Sequence, residues 1–275
     1  MGRLDSKIAI VTGGARGIGR GICRRFAREG ASVVVADVVE DEGRVVAEEL
    51  SGLGGRGLFL RTDVTQKADV ERMVSTAHER FGRVDVLVND AIALSPHVPL
   101  EEKTDEMWEF MLAVGLHATR WAMQASFPIM RDQGGGRIIN FYSSDANNGQ
   151  WFHGDYNVTK AGIRALTISA AAEWGRYNIG CNAIAPAAAG TVYYELVKKN
   201  PAIAEMAKTM PLGRAGDPER DIAPVALFLA TEDSQWVNGQ TIYVEGGLYL
   251  SRGAVYPKDD RDFVDRWLAS HRRRR

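Results

Sequence analysis

KIAIVTGGARGIG, residues 7–19, decides how the chain folds. Lys7–Thr12 is an apolar run of strand length. It passes straight into Thr12-Gly13-Gly14-Ala15-Arg16-Gly17-Ile18-Gly19, and a helical pattern follows to about Gly30. A buried strand, a tight glycine turn and a helix, in that order, predict a βα unit whose loop can approach an anion closely. The helix start adds free N–H groups and a partial positive charge. The spacing G-x-x-x-G-x-G lies between first strand and first helix, the context in which such a loop cradles a pyrophosphate.

The same alternation continues outward from this unit. Ser32–Asp37, Leu58–Thr62, Val84–Asn89, Arg137–Tyr142, Ile179–Ile184 and Gln240–Val244 read as further strands. Asp41–Leu53, Gln66–Phe81, Thr104–Arg131, Asp155–Tyr177 and Pro218–Thr231 read as helices. Continuously apolar strands are buried on both faces, which implies a parallel sheet covered by helices on each side. Strand–helix alternation implies right-handed crossovers. The expected fold is α/β, a single-domain doubly wound parallel sheet over residues 1–250. Segment 187–215 interrupts the alternation and is expected to be a substrate lid. Residues 251–275 form a C-terminal extension with an Arg-rich end.

The 275 residues are 45% hydrophobic and 25% charged, with net charge -1, enough for a large core and without global bias toward nucleic acid or anionic membranes. Arg272–Arg275 read as a solvated tail, so no nucleic-acid partner is expected. Cys23 and Cys181 form no C-x-x-C pair. They read as buried thiols, and no metal site is expected. The start, MGRLDSKIAIV, lacks a signal peptide's apolar run, and no stretch approaches the ~20 apolar residues that span a bilayer. Gly2 and Ser6 match a loose myristoylation pattern that short sequences meet by accident. A cytoplasmic protein without a membrane partner is the expectation.

Asp37 closes the second strand, where a carboxylate can accept hydrogen bonds from adenosine ribose hydroxyls and repel a 2′-phosphate. That repulsion costs about 1 kcal/mol in water and about 4 at intermediate dielectric for charges ~4 Å apart, favouring NAD over NADP. Arg16 in the loop could instead meet a 2′-phosphate, so NADP stays open. Beyond the fifth strand come Ser143, Tyr156 and Lys160. Tyr156 and Lys160 are i and i+4 and share a helix face. A free tyrosine has pKa ~10, so a tyrosinate base at neutral pH needs ~4 kcal/mol of help. An ammonium ~4 Å away supplies about that much at an effective dielectric near 20. The pair is suited to proton transfer.

Together these motifs resemble the short-chain dehydrogenase/reductase family, whose fold is the Rossmann type with helices on both faces. The likeness runs from Lys7 to Leu248. It includes the T-G-x3-G-x-G loop at Thr12–Gly19, an adenine-contacting acidic position at Asp63-Val64, and Ser143, Tyr156 and Lys160. Pro211–Arg214, Asp221–Ala223 and Val244–Gly247 resemble the family's C-terminal pattern. The resemblance implies that Tyr156 exchanges the alcohol proton, Lys160 lowers its pKa and holds the nicotinamide ribose, and Ser143, rather than adjacent Ser144, orients the substrate oxygen. It implies an NAD site formed by Gly13, Arg16, Gly17, Ile18, Gly19, Asp37, Asp63, Val64, Asn89, Tyr156, Lys160, Pro186, Ala189 and Thr191. It also implies a homo-oligomer, tetramer or dimer.

The chain departs from the family's usual pattern at several points. Asn-Asn-Ala-Gly after the fourth strand is Asn89-Asp90-Ala91-Ile92 here, and Pro-Gly after the sixth is Pro186-Ala187. Gly115 stands where family members often carry an asparagine that holds a relay water, and His117 faces another way. Trp151, Phe152, His153, Tyr193, Tyr194, Met206 and Met210 could line a pocket for a hydrophobic or ring-bearing substrate, or simply pack, while Trp108 and Trp121 read as core. The expected activity is NAD-dependent interconversion of a secondary alcohol and a ketone. The alternatives are an NADP enzyme acting on a sugar or acyl-thioester, and an impaired dinucleotide-binding regulatory protein.

Overall fold

Each apolar run expected to be a strand becomes one. The computed structural model describes residues 2–208 and 210–251. Strands β1 (Ile8–Thr12), β2 (Ser32–Asp37), β3 (Arg56–Arg61), β4 (Val86–Asn89), β5 (Gly136–Phe141), β6 (Ile179–Pro186) and β7 (Thr241–Val244) form one sheet. Its order among the described residues is β3-β2-β1-β4-β5-β6-β7, and every pairing is parallel. The order reverses between β1 and β4, which opens a crevice at the strands' C-terminal ends.

Alternation along each strand sends side chains to opposite faces, so two cores form. Ala9, Val11, Val33, Val35, Val86, Val88 and Ile184 meet helices α1 (Gly17–Arg28), α2 (Glu40–Ser51) and α10 (Ala223–Ala230) on one face. On the other, Ile10, Val34, Leu87, Ile138 and Cys181 meet α3 (Lys67–Phe81), α5 (Ala118–Asp132) and α7 (Gly154–Trp174). Cys23 and Cys181 are free, buried thiols, as expected, and burial raises the pKa of both.

The long helix expected over Thr104–Arg131 is broken in register. It comprises α4 (Asp105–Met111), a π-helical turn at Leu112–His117, and α5. Thr104 caps its start by accepting from the Met107 N–H. Gly115 lies inside the π turn, and a Cβ there would stand 2.3 Å from Thr159 Cγ2 on α7. The wider turn and the missing side chain let the helices close together.

A second helix of π geometry, Pro218–Ile222, precedes α10 and is capped by the Asp217 carboxylate. Short α6 (Asp145–Asn148) fills the stretch between β5 and α7. The segment expected as a lid is helical, with α8 (Thr191–Lys199) and α9 (Ala202–Lys208). This segment is rooted on the body by a parallel bridge between Ala188 and Gly216. No helix among the described residues is long and apolar enough to cross a membrane. The expectations for the Met206 side chain and for Arg272–Arg275 fall outside the described residues.

Candidate active site

The glycine loop is shaped by contacts that leave no room for side chains. Gly13 has φ +70, and a Cβ on it would lie 2.9 Å from Ala91 Cα. A Cβ on Gly19 would lie 2.2 Å from Gly13 O. Gly17, with φ +52, faces the Thr191 backbone N and Oγ1, each 3.3 Å from its Cβ position. The loop therefore runs bare along the start of α1, a cradle with the shape and N–H supply that a dinucleotide diphosphate needs.

Asp37 has two tasks. Its carboxylate accepts from Ala15 N–H at 3.1 Å and Val39 N–H at 3.0 Å, which fixes the loop to the end of β2. Its remaining lone pairs are available to ribose hydroxyls. Arg16 is engaged by Glu42 in a two-point ion pair, and that hydrogen bond raises its pKa. A cleft of about 980 Å³ runs from Gly13, Arg16, Gly17, Ile18 and Asp37 past Thr191 to Ser95, Pro96, His97, Tyr193 and Leu196.

Other expected cofactor residues turn inward. Asp63 accepts from Thr65 N–H and Oγ1–H at 3.0 and 2.7 Å, next to buried Val64. Asn89 donates to Asn140 Oδ1 at 2.8 Å, and Asn140 donates to Thr167 Oγ1 at 2.9 Å. Pro186 ends β6 opposite Val244. Ala189 N–H donates to Gly216 O at 2.7 Å. Ile92 lines the cleft and packs on the second core, so the bulk expected there is accommodated.

The chemistry-bearing side chains meet where β5 and α7 approach. Ser143 follows β5, and its Oγ accepts from Asp145 N–H at 3.2 Å. Tyr156 hydrogen-bonds to Ser143, which separates that serine from Ser144. One turn along α7, buried Lys160 donates to Phe141 O at 2.9 Å, with Nζ 5.6 Å from the Tyr156 ring centre. Burial pushes Lys160 down to about 8, while the Asp90 carboxylate opposes the fall. Burial also pushes the Tyr156 hydroxyl above its ordinary value, against the Ser143 hydrogen bond, with Asp145 and Asp90 adding to the rise. Sequence spacing implies that Lys160 sets the Tyr156 pKa. Here the lysine is turned to Phe141 O, and burial dominates.

Three parts of the site owe their character to partners that the sequence does not place. Asp90, where the family resemblance has asparagine, is pushed up to about 7 by burial, against Lys160 and the Gly19 N–H, with Asp37 adding to the rise. The second is a buried ion pair, Lys103–Asp155, at 2.7 Å. Lys103 also donates to Ser95 Oγ and Pro96 O, each at 2.8 Å, while Asp155 accepts from Ser95 and from Tyr156 N–H at 2.9 Å. Burial works to raise the Asp155 pKa, but these hydrogen bonds outweigh it and hold it low. The network joins the loop after β4 to the first turn of α7. The third is His97, whose Nε2 lies 3.1 Å from Nε2 of His153.

The expected pocket aromatics divide. Tyr193 lines the cleft and meets Tyr194 edge-on. Trp151 and Phe152 are exposed, and Phe152 has a left-handed φ of 64. Met210 is half-buried. Trp121 packs on the second core and against His117, while Trp108 is half-buried.

Comparison with known proteins agrees with this geometry. A family model described as enoyl-(acyl carrier protein) reductase matches residues 13–249. The chain is 35% identical to a sorbitol dehydrogenase of Cereibacter sphaeroides, over 90% of this chain and 100% of the relative. It is 36% identical to a 12alpha-hydroxysteroid dehydrogenase of a Clostridium species, over 90% of this chain and 98% of the relative. A crystal structure of levodione reductase superposes with TM-score 0.86 at 29% identity, covering 90% of this chain and 100% of that one. With its parallel sheet and glycine cradle, the chain belongs to the short-chain dehydrogenase/reductase family of oxidoreductases.

Proposed function

We propose that the protein is an NAD-dependent dehydrogenase or ketoreductase that interconverts a secondary alcohol and a ketone. The observation that carries this reading is the meeting of Ser143, Tyr156 and Lys160 near a cleft whose far end carries Asp37. The bare backbone at Gly13, Gly17 and Gly19 would hold the diphosphate, Asp37 the adenosine ribose, and Lys160 with Tyr156 the nicotinamide ribose. When bound, the dinucleotide accepts or supplies a hydride at the substrate carbon. Ser143 and Tyr156 hydrogen-bond the reacting oxygen. Tyr156, which burial keeps protonated, donates to the oxygen in reduction; in oxidation it first gives up that proton through Lys160 and then, as the tyrosinate, takes the alcohol's. Lys160, pushed down to about 8, lies close enough to neutrality to pass a proton on at physiological pH.

Two features support NAD over NADP. Asp37 places a carboxylate at the ribose end, and Glu42 already occupies Arg16, the cation that could meet a 2′-phosphate. The similarity to a sorbitol dehydrogenase and a hydroxysteroid dehydrogenase supports alcohol oxidation on hydroxyl-rich or ring-bearing compounds.

The test is absorbance at the reduced-nicotinamide band with NAD or NADP and a panel of cyclic, steroid and polyol alcohols. NAD should support the faster turnover. Tyr156→Phe should lose about 10²–10⁴ in rate while still binding NAD. Full turnover in that variant would remove Tyr156 from the chemistry, and NAD binding without turnover of any alcohol or ketone would point to a regulatory role.

A further inference from the structure

His97 and His153 come from opposite sides of the site, one from the loop after β4 and the other from the N-cap of α7. Their Nε2 atoms are 3.1 Å apart and their ring centres 4.4 Å. His153 also stands edge-on to Tyr156, with ring centres 5.5 Å apart. A polar pair is therefore held one ring away from the group proposed to handle the reacting oxygen. The protein fold does not require the contact, because His97 is exposed on its loop.

The protonation pattern specifies what the pair can bind. Asp145 Oδ2 lies 3.5 Å from His153 Nδ1 and favours the proton on that nitrogen. His153 Nε2 is then an acceptor and His97 Nε2–H a donor. Partial desolvation and the nearby His153, Lys103 and Lys199 lower the His97 pKa, with Asp155 opposing. A ring N–H donor beside a ring nitrogen acceptor matches a hydroxyl, which is both.

A carboxylate or phosphate fits less well. Lys103 is committed to Asp155, and Lys199 shares the outer cleft with Glu195. A metal is also a poor match, because no group of three His, Cys, Asp or Glu suited to hold one occurs among the described residues. The rest of this end of the cleft, Leu94, Pro96, Tyr193 and Leu196, is largely apolar.

We propose that the His97–His153 pair is a subsite for a second hydroxyl, and that the substrate class is a vicinal diol whose carbon skeleton lies against Leu94, Tyr193 and Leu196. This rests on the dehydrogenase reading above. The reacting oxygen sits between Ser143 and Tyr156, and the neighbouring oxygen donates to His153 Nε2 and accepts from His97 Nε2–H as the exposed His97 ring moves aside. Oxidation of one carbon transfers its hydride to NAD and its hydroxyl proton to Tyr156, after the tyrosine has released its own proton through Lys160 to solvent. The second hydroxyl is left intact, so the product is a hydroxyketone, with NADH and a proton.

The test compares kcat/KM for 1,2-cyclohexanediol and cyclohexanol with NAD in the wild type, His97→Phe, His153→Phe and His97→Gln. The wild type should favour the diol by roughly tenfold or more, the worth of one or two neutral hydrogen bonds. Both phenylalanine variants should bring the ratio to near one, and His97→Gln, which keeps a donor, should restore part of it. A wild-type ratio near one, or a ratio that survives both phenylalanine changes, overturns the subsite. His97 is exposed, so its variant provides the comparison if His153→Phe does not fold. If neither alcohol is oxidised, the dehydrogenase reading fails separately, and the subsite is judged by binding of the two alcohols to the NADH complex through NADH fluorescence. Diol-selective binding lost in His97→Phe supports the subsite, and equal binding of the two alcohols overturns it.

Discussion

The two ends of the cleft are built by different means. The end proposed for the dinucleotide is backbone: glycines at 13, 17 and 19 bring main chain within contact distance of main chain, and the start of α1 supplies N–H groups. The end proposed for the substrate is made of side chains: a buried Lys103–Asp155 pair, a buried Lys160 and two histidines from separate loops. Backbone geometry is set by residues adjacent in sequence. Side-chain networks require partners that only the folded chain brings together. The first kind of site should tolerate changes of charge and fail on added bulk, and the second should do the reverse.

The largest effect should come from breaking the buried pair. Lys103→Met leaves Asp155 charged and short of its strongest partner, and should cost about 3–5 kcal/mol of stability in urea unfolding. Adding Asp155→Asn should recover much of that loss, because a buried pair replaced as a unit costs far less than a pair broken on one side. A Lys103→Met protein of wild-type stability would remove the network's structural role.

Bulk at the π turn should rank next. Gly115→Ala puts a methyl 2.3 Å from Thr159 Cγ2, immediately before Lys160 on α7. Overpacking of this kind costs about 1–3 kcal/mol. It should also lower kcat through displacement of Lys160. Thr159→Ser removes the opposing methyl and should relieve both losses, and no relief would mean the strain lies in the π turn itself.

Asp90→Asn should give the smallest effect, and only above a defined pH. Burial raises the Asp90 pKa from an ordinary 3.8 to about 7, so the folded state holds its proton more tightly than the unfolded state. The stability this contributes is complete below the ordinary pKa and is lost as pH rises through about 7. The asparagine variant should therefore gain on the wild type from pH 4 to 7. Its advantage should level off above 7, on the order of 1–2 kcal/mol after solvent screening. A pH-independent difference in unfolding free energy would contradict the assignment.

The same contrast explains what the sequence made legible. The strands, the glycine turn between β1 and α1, the place of Asp37 at the end of β2 and the i, i+4 placement of Tyr156 and Lys160 depend on local pattern, and their positions were readable from it. The choice of Ser143 over Ser144 rests on ungapped spacing to Tyr156, and Ser143 is the serine that Tyr156 hydrogen-bonds. Lys103, Asp155 and Asn140 were not, because a lone lysine, aspartate or asparagine looks the same whether solvated or buried until its partner is known. Asp90 did stand out as a departure from the resembled Asn-Asn-Ala-Gly, but its environment was hidden. The π turn was hidden for another reason. Glycine in a helical pattern marks a weak point without specifying the register shift, and Thr159 on another helix decides it.

The attachment of the segment that carries α8 and α9 has an evolutionary consequence. Segment 190–213 leaves the body after the Ala188–Gly216 bridge and returns at Leu212, whose N–H donates to Gly246 O at 3.2 Å. None of the sheet's ladder bonds depends on residues within α8 or α9. Insertions, deletions and exchanges there leave strand register and the positions of Tyr156 and Lys160 untouched. A lineage can thus reshape the cleft wall that Tyr193 and Leu196 form by trading one surface segment, while Tyr156 and Lys160 stay fixed on α7.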